Sequence, residues 1–351
     1  MVSCAIKIQS MTYRLRPLKY LILGLLTILA CNTEDDGFTF VPARDRAEEA
    51  PVSTEIIETY LNTHFYNYEE FQNPPADFDF KIRFDTLAGD NADKIPLIQQ
   101  VQHKMVPDRV DEGVEYKLYY LSAVEGGGST PAFPDVVTLT YEGQYLNTEF
   151  TASAYTKLFD SASTPISFDL TSVVNGFQDG IITAKTSPFP AIEAADGSVS
   201  FEDYGVGAVF IPAGLGYYVS PPNGSIIPFY AQLIFTFQLY TSRVGDQDED
   251  GIPTIFEDLN ENNLEEDDDT DSDGLPNFFD ADDDGDGRPT SEEIILRTYV
   301  FLDGEPEPTW PNTEVEVKRE YNAQTMETTI YTVEYPDEDN DGVVDYLDAD
   351  S

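Results

Sequence analysis

The sequence predicts an α+β fold: a curved antiparallel sheet packed on one short helix, followed by a loop-rich acidic tail. Three observations predict it. Segments that alternate apolar and polar residues recur at Val136–Tyr141, Val206–Ile211 and Gln232–Tyr240, and period two is the strand period. One short helical pattern lies among them, Asn175–Ala184, where Phe177 and Ile181 fall one turn apart. Beyond Arg243 the composition changes. No Lys or Arg occurs from Val244 to Gly287, and aspartates recur at alternate positions.

The chain has 351 residues, enough for two domains, and its 41% hydrophobic content supports a real core. Its charge is extreme: 66 acidic residues against 19 basic give −47. Such a surface repels phosphates, which argues against nucleic acid as a partner, and it attracts cations. Both cysteines, Cys4 and Cys31, lie near the N-terminus, so the body holds neither a disulfide framework nor a cysteine metal site.

Residues 1–30 read as a leader. Lys7, Arg14, Arg16 and Lys19 make a basic region, and Tyr20–Ala30 is an apolar run too short to span a bilayer. The run ends in Ile28-Leu29-Ala30-Cys31, which resembles a bacterial lipobox. That resemblance implies acylation of Cys31 and an outer-membrane lipoprotein of the cell envelope, held by its acyl chains. The acidic patch Asn32-Thr33-Glu34-Asp35-Asp36 resembles the surface-export signal of Bacteroidota lipoproteins, which implies exposure on the outer face.

Residues 31–52 are polar and read as a flexible tether. Residues 53–112 form an N-terminal extension. Within it Ser53–Phe65 reads as an amphipathic helix capped by Ser53, with Ile56, Ile57, Tyr60 and Leu61 on one face. Asn73–Ile82 is turn-rich, and Leu97–Val106 shows no clear period. Tyr116–Val124 alternates as a strand and runs into the loop Gly126–Ser129.

The central domain is assigned to residues 113–243. Leu233, Phe235, Phe237 and Leu239 share one face of a strand and need a cover, which the helix at Asn175–Ala184 supplies. Tyr141, Phe159, Phe168, Phe177, Tyr217 and Phe235 exceed what one such face needs and are expected to line an apolar pocket.

The succession Tyr141-x-Gly143, Phe159-Asp160-Ser161, Pro165-x-x-Phe168-x-Leu170, Val173-Val174-x-Gly176-Phe177, Ile211-Pro212, Leu215-Gly216-Tyr217, Ile226-Ile227-Pro228 and Ala231-x-Leu233-x-Phe235 closely resembles the FKBP-type peptidyl-prolyl cis-trans isomerases. The resemblance implies a site made of Tyr141, Phe159, Asp160, Phe168, Val173, Val174, Phe177, Tyr217, Ile226, Ile227 and Phe235. It implies proline-containing polypeptides as clients and no catalytic cofactor. The chain departs from the family at several points. Phe177 stands where Trp is usual at the pocket floor, Ile166 where an aromatic is common, Tyr218 where Gly follows the pocket Tyr, and Phe229 in place of a second proline. Residues 186–204 are an insertion.

Isomerisation means twisting an amide over a barrier of about 18–20 kcal/mol. The planar amide is stiff because its resonance separates charge; the twisted amide is less polar. A dry aromatic pocket therefore favours the twisted state over the planar one, with no nucleophile, metal or general base. On this reading Phe177, Phe235, Tyr141, Val173 and Ile227 wall the proline ring. The Tyr217 hydroxyl and the Val174 N–H hold substrate carbonyls, and Asp160 orients the polar groups.

Residues 244–351 carry an aspartate register. Asp246, Asp248, Asp250, Gly251 and Glu257 occupy positions 1, 3, 5, 6 and 12 of a loop. The same spacing returns in Asp269, Asp271, Asp273, Gly274 and Asp280; in Asp282, Asp284, Asp286, Gly287 and Glu293; and in Asp337, Asp339, Asp341, Gly342 and Asp348. A weaker copy uses Asp258, Asn260, Asn262 and Asp269, with Asn263 at the glycine position. Alternate oxygens converge on one ion, glycine permits the turn, and a carboxylate at position 12 closes the cage; Ca²⁺ suits such a hard, flexible donor set. Pro253, Pro276 and Pro289 follow the loops where EF-hands would have helices, so the tail resembles thrombospondin type 3 repeats, which implies structural Ca²⁺. Val315–Tyr335 reads as a β-hairpin turning near Asn322-Ala323-Gln324. The leading expectation is a lipid-anchored folding helper with prolyl isomerase activity. The alternatives are a non-catalytic binding or adhesion module on the same fold, and a structural surface lipoprotein in which the repeats matter most.

Overall fold

A computed structural model of the chain describes residues 42–146, 155–189, 191–194, 197, 199–322 and 325–351. The leader, Cys31 and the acidic patch after it lie outside the described residues. The chain divides into Met1–Pro42 and Ala43–Ser351, and every element named here belongs to the second unit. No helix among the described residues is long and apolar enough to cross a membrane.

Helix α1 spans Arg46–Thr63, so the expected tether ends earlier and the helix starts seven residues before Ser53. Asp45 is the cap; its Oδ1 accepts the Glu48 N–H at 3.1 Å. Ser53 is fully buried within the helix, and its Oγ accepts the Gln232 amide at 3.2 Å and the Ala213 N–H at 3.4 Å. Pro51 lies inside the helix, a position that usually breaks one. The bidentate contact of Arg46 Nη1 with Asp108, 2.9 Å to each oxygen, and the buried Ser53 contacts pin the helix on both sides of it.

The extension continues with β1 (His64–Tyr66), α2 (Tyr68–Gln72) and β2 (Phe84–Thr86), β1 pairing with β2. Next come β3 (Gln102–Pro107), β4 (Glu115–Val124), β5 (Val136–Leu146), β6 (Thr156–Asp169) and α3 (Asn175–Ile181). The insertion carries a small pair, β7 (Ile192–Glu193) and β8 (Val199–Ser200), before β9 (Gly205–Ile211) and β10 (Leu233–Arg243). Six strands form one antiparallel sheet in the order β3-β4-β9-β10-β5-β6. Edge strand β6 shifts register between Leu139 and Tyr141 of β5, and that irregularity accommodates Pro165.

Both faces of this sheet are covered, where the sequence reading supplied a cover for only one. Leu233, Phe235, Phe237 and Leu239 of β10 pack with Val209 and Ile211 of β9 against Phe177 and Ile181 of α3. The opposite face, with Tyr119, Leu121, Phe210 and Ile234, is sealed by Ile57, Tyr60 and Leu61 of α1 and by Tyr66, Ile82 and Leu97. Helix α3 lies very close to the sheet. A Cβ on Gly176 would fall 2.3 Å from Ile211, and one on Gly180 would fall 2.6 Å from Val209.

The tail adds β11 (Ile295–Leu302), β12 (Glu314–Asn322) and β13 (Glu327–Glu334). The expected hairpin is thus part of a three-stranded sheet, ordered β11-β13-β12. Its Val317 and Val333 share a small core with Ile252 and Ile294 of the acidic loops and with Tyr346. The hairpin supplies the apolar surface that the acidic loops lack.

Candidate functional site

Two sites emerge, one apolar and one acidic. The apolar site is a cavity of about 350 Å³ lined by Tyr141, Phe159, Asp160, Phe168, Ser172, Val173, Val174, Phe177, Tyr217 and Phe235. Strand β5 delivers Tyr141, β6 delivers Phe159, Asp160 and Phe168, α3 delivers Phe177, and β10 delivers Phe235. Phe177 and Phe235 meet edge to face with centroids 4.8 Å apart, Phe159 stands at 88° to Phe235 at 5.6 Å, and Tyr141 meets Phe168 at 5.3 Å. Nine of the eleven residues carried over from the family converge here. Ile226 and Ile227 do not line the cavity. Ile226 is 60% exposed, and Ile227 is buried in the core cluster that also holds Phe177 and Phe235. A glycine-containing turn, Pro222-Asn223-Gly224-Ser225, closed by the Ser225 N–H on the Pro222 carbonyl at 3.0 Å, precedes Ile226 and Ile227.

The polar groups of the cavity are few and placed. The Tyr141 hydroxyl donates to Asp160 Oδ2 at 2.5 Å, and the Ser161 N–H donates to Asp160 Oδ1 at 2.9 Å. Burial raises the Tyr141 phenol above its ordinary range, and the Asp160 hydrogen bond raises it further. Burial raises Tyr217 as well, with the Asp160 charge adding to it. Both phenols therefore remain donors at neutral pH. The Val174 carbonyl accepts the Phe177 N–H at 2.8 Å, and among the described residues its own N–H donates to no acceptor. Val174 is the N-cap of α3 and lines the cavity.

The acidic site repeats one local geometry. Gly251, Gly274, Gly287 and Gly342, at position 6, have φ of 93–103°, which only glycine adopts without strain. The position-5 N–H donates to the position-3 carboxylate: Asp250 to Asp248, Asp273 to Asp271, Asp286 to Asp284 and Asp341 to Asp339. The position-7 N–H in turn donates to position 5. Each bond occupies one carboxylate oxygen and leaves the other free. Pro253, Pro276, Pro289 and Val344 then open single 3₁₀ turns, which present Glu257, Asp280, Glu293 and Asp348 as their C-caps. The weaker copy also folds as a loop, with Asn263 at φ 60°. There the turn begins one residue early, so its C-cap is Asp268 rather than the expected Asp269.

Position 9 is buried in all four full loops and is structural. The Thr254, Asn277, Thr290 and Asp345 N–H groups donate to the carbonyls of Gly245, Asp268, Ala281 and Pro336. A pattern built on alternate acids passes over these residues.

Carboxylate oxygens lie within 4.8 Å of one another in four groups: Asp248, Asp250, Glu257 and Asp283; Asp269, Asp271 and Asp273; Asp282, Asp284 and Asp286; Asp337, Asp339 and Asp341. Asp246, Asp280, Glu293 and Asp348 fall outside these groups, yet each bears electrostatically on the acids of its own loop. Burial first, and neighbouring acids second, push Glu257 up to about 10, Asp283 to about 9 and Asp250 to about 7. Asp246 Oδ1, Asp248 Oδ2, Asp250 Oδ2 and both oxygens of Glu257, Asp283 and Glu293 are buried without a hydrogen-bond partner. Glu293 has Arg288 Nη1 at 3.5 Å; among the described residues the others have no such cation beside them. Buried carboxylates of that kind are costly, and an all-oxygen set fits a hard divalent cation.

The two sites are joined. Arg109 bridges Glu266 at 2.8 Å and the Gln178 side-chain carbonyl, while the Gln178 amide donates to the Phe133 carbonyl at 2.9 Å and to Glu265 at 3.2 Å. Gln178 is the α3 neighbour of the cavity residue Phe177. Just before β5, buried Asp135 accepts the Ala132 N–H at 3.0 Å and also the Gly245 N–H.

Comparisons with known proteins bear on both parts. Residues 247–307 match a family model described as BamM C-terminal. No curated protein matches the chain. Among solved structures, the chain is similar to a peptidyl-prolyl cis-trans isomerase from Pseudomonas syringae pv. tomato, at 18% identity and a TM-score of 0.27, over 36% of this chain and 74% of that one. It is similar to FkpA from Escherichia coli at 24% identity and a TM-score of 0.27, over 36% of this chain and 47% of that one. It is similar to the N-terminal domain of an FKBP from Arabidopsis thaliana at 18% identity and a TM-score of 0.27, over 40% of this chain and 98% of that one. The architecture of the described residues is mostly antiparallel sheet with few helices.

Proposed function

We propose that residues 113–243 form a peptidyl-prolyl cis-trans isomerase of the FKBP type, carried on a lipid-anchored envelope protein that assists the folding of proline-containing clients. One observation carries the reading: nine residues from five separate segments converge on a single aromatic cavity with Tyr141, Asp160 and Tyr217 at its polar side. The rings of Phe159, Phe177 and Phe235 give an environment that disfavours the charge-separated planar amide. The Tyr217 hydroxyl and the free Val174 N–H offer two donors to hold substrate carbonyls on either side of the twisting bond. Asp160 fixes the Tyr141 hydroxyl and so keeps that wall in place.

The tail, residues 244–351, is proposed to hold Ca²⁺ through its acidic loops as a structural ion, in the manner of thrombospondin type 3 repeats. The buried, unpartnered carboxylate oxygens support this. Anchoring at the outer membrane through Cys31 is proposed on the lipobox-like sequence alone.

The deciding experiment is a protease-coupled prolyl assay on the full chain, with and without Ca²⁺. Acceleration of X-Pro isomerisation, which takes about ten to several hundred seconds uncatalysed, is the expected result. Wild-type protein that leaves the uncatalysed rate unchanged would remove the enzyme reading and leave a binding module with the same cavity. The smaller floor residue Phe177 is the feature that favours that second reading.

A further inference from the structure

We propose that Asp283, the second residue of the third acidic loop, is a ligand to the cation of the first loop, so that one ion ties together two loops distant in sequence. This rests on the reading of the tail as a divalent-cation module and adds a residue that the spacing pattern leaves out. Oxygens of Asp248, Asp250 and Glu257 from the first loop and of Asp283 from the third lie within 4.8 Å of one another. Asp283 is 2% exposed and Glu257 1% exposed. Both oxygens of each, together with Asp248 Oδ2 and Asp250 Oδ2, have no hydrogen-bond partner. The other oxygens of Asp248 and Asp250 are taken by the N–H groups of Asp250 and Ile252, which aims the free ones away from the loop backbone. Four oxygens converge, one from each residue, and bidentate binding by Glu257 and Asp283 would bring the set to the six that Ca²⁺ takes at the least.

No local reason explains the burial of Asp283. Its backbone N–H donates to Thr290 Oγ1 at 3.2 Å, which satisfies the loop, but its carboxylate gains nothing from its own loop. The charged groups that weigh most on it are Asp250, Asp248, Asp280 and Asp284, all acidic. A carboxylate placed among four others and shielded from water is tolerable only with a cation among them. The other full loops carry Gln247, Thr270 and Glu338 at this position, and Glu338 is exposed. The shared core of Ile252, Ile294 and Tyr346 holds the first, third and fourth loops in the same arrangement.

The test uses the full chain as wild type and as Asp283→Asn, which keeps size and shape. Asp283→Ser is read alongside in case the amide finds new partners. Calcium titration by calorimetry and thermal unfolding are measured in Ca²⁺ and in chelator. The expected result has opposite signs. Asp283→Asn weakens one calcium site by about tenfold or more and lowers the tail's Tm in Ca²⁺. The same change raises that Tm in chelator, because it removes a buried repulsion. A change of the same sign in both conditions assigns Asp283 a purely structural role and overturns the proposal. Identical calcium titrations for wild type and variant overturn it while leaving the calcium reading of the tail intact. Wild-type protein that shows no calcium heat at millimolar concentration overturns both.

Discussion

The aromatic cavity and the acidic loops are opposite solutions to holding a site together. The cavity is assembled by the same contacts that fold its domain: Phe177 and Phe235 belong at once to the hydrophobic core and to the cavity wall. Nothing further is needed to complete it. The loops bury carboxylates whose charged neighbours are mostly carboxylates, and their own core is small, centred on Ile252, Ile294, Val317, Val333 and Tyr346. A preorganised apolar site is stable by itself, whereas an anionic site borrows its stability from what it binds.

The largest effect that could break this contrast is chelation. Removing divalent cations should open residues 244–351 to proteolysis beyond Gly245, while prolyl turnover keeps most of its value. Limited proteolysis and the prolyl assay on the same samples measure both. Turnover lost in step with the tail would show that the cavity is not self-sufficient. Next in size are variants within the cavity. Phe159→Ala or Tyr217→Ala should lower kcat/KM by about tenfold to a hundredfold with little change in Tm. Equal losses of activity and of folding would mean that these side chains serve packing alone.

The smallest effect concerns the join. Burial pushes Asp135 up to about 6 from an ordinary 3.8, against the pull of its backbone hydrogen bonds. A raised acid favours the folded state when protonated, so its contribution is full below about pH 4 and is lost as pH rises through about 6. The Tm of wild type should therefore fall relative to Asp135→Asn between those limits. Parallel Tm profiles for the two proteins would remove Asp135 from the pH response.

Much of the molecule was legible in the order of its residues, for reasons that differ by region. Strands β4, β5, β9 and β10 show because branched and aromatic residues recur along each, even though both faces of the sheet are covered. The cavity residues show because many separated signals agree. The glycine register shows because a positive φ at position 6 leaves little choice. The failures are physical too. Helix α1 begins at Arg46 because tertiary contacts of Arg46 and Ser53 override the local signal of Pro51. Strand β3 is masked by its mostly exposed side chains, and β11 by an apolar run whose alternation appears only in the folded burial pattern. Ile226 and Ile227 lie in a segment with neither helix nor strand, so no periodicity indicates which way each faces. Asp283 is invisible to any loop pattern because its partners lie in another loop.

The bridge from Arg109 to Gln178 and Glu265 bears on how the protein can be divided. A fragment ending at Arg243 keeps every cavity residue but strips Arg109 of both its acids and leaves the Gln178 amide with the Phe133 carbonyl alone. The surface so uncovered carries Arg109 and Gln178, the latter next to the cavity residue Phe177 on α3. Trimming there would leave Arg109 a cation without its acids and expose a new face of the domain, while removing no residue of the cavity.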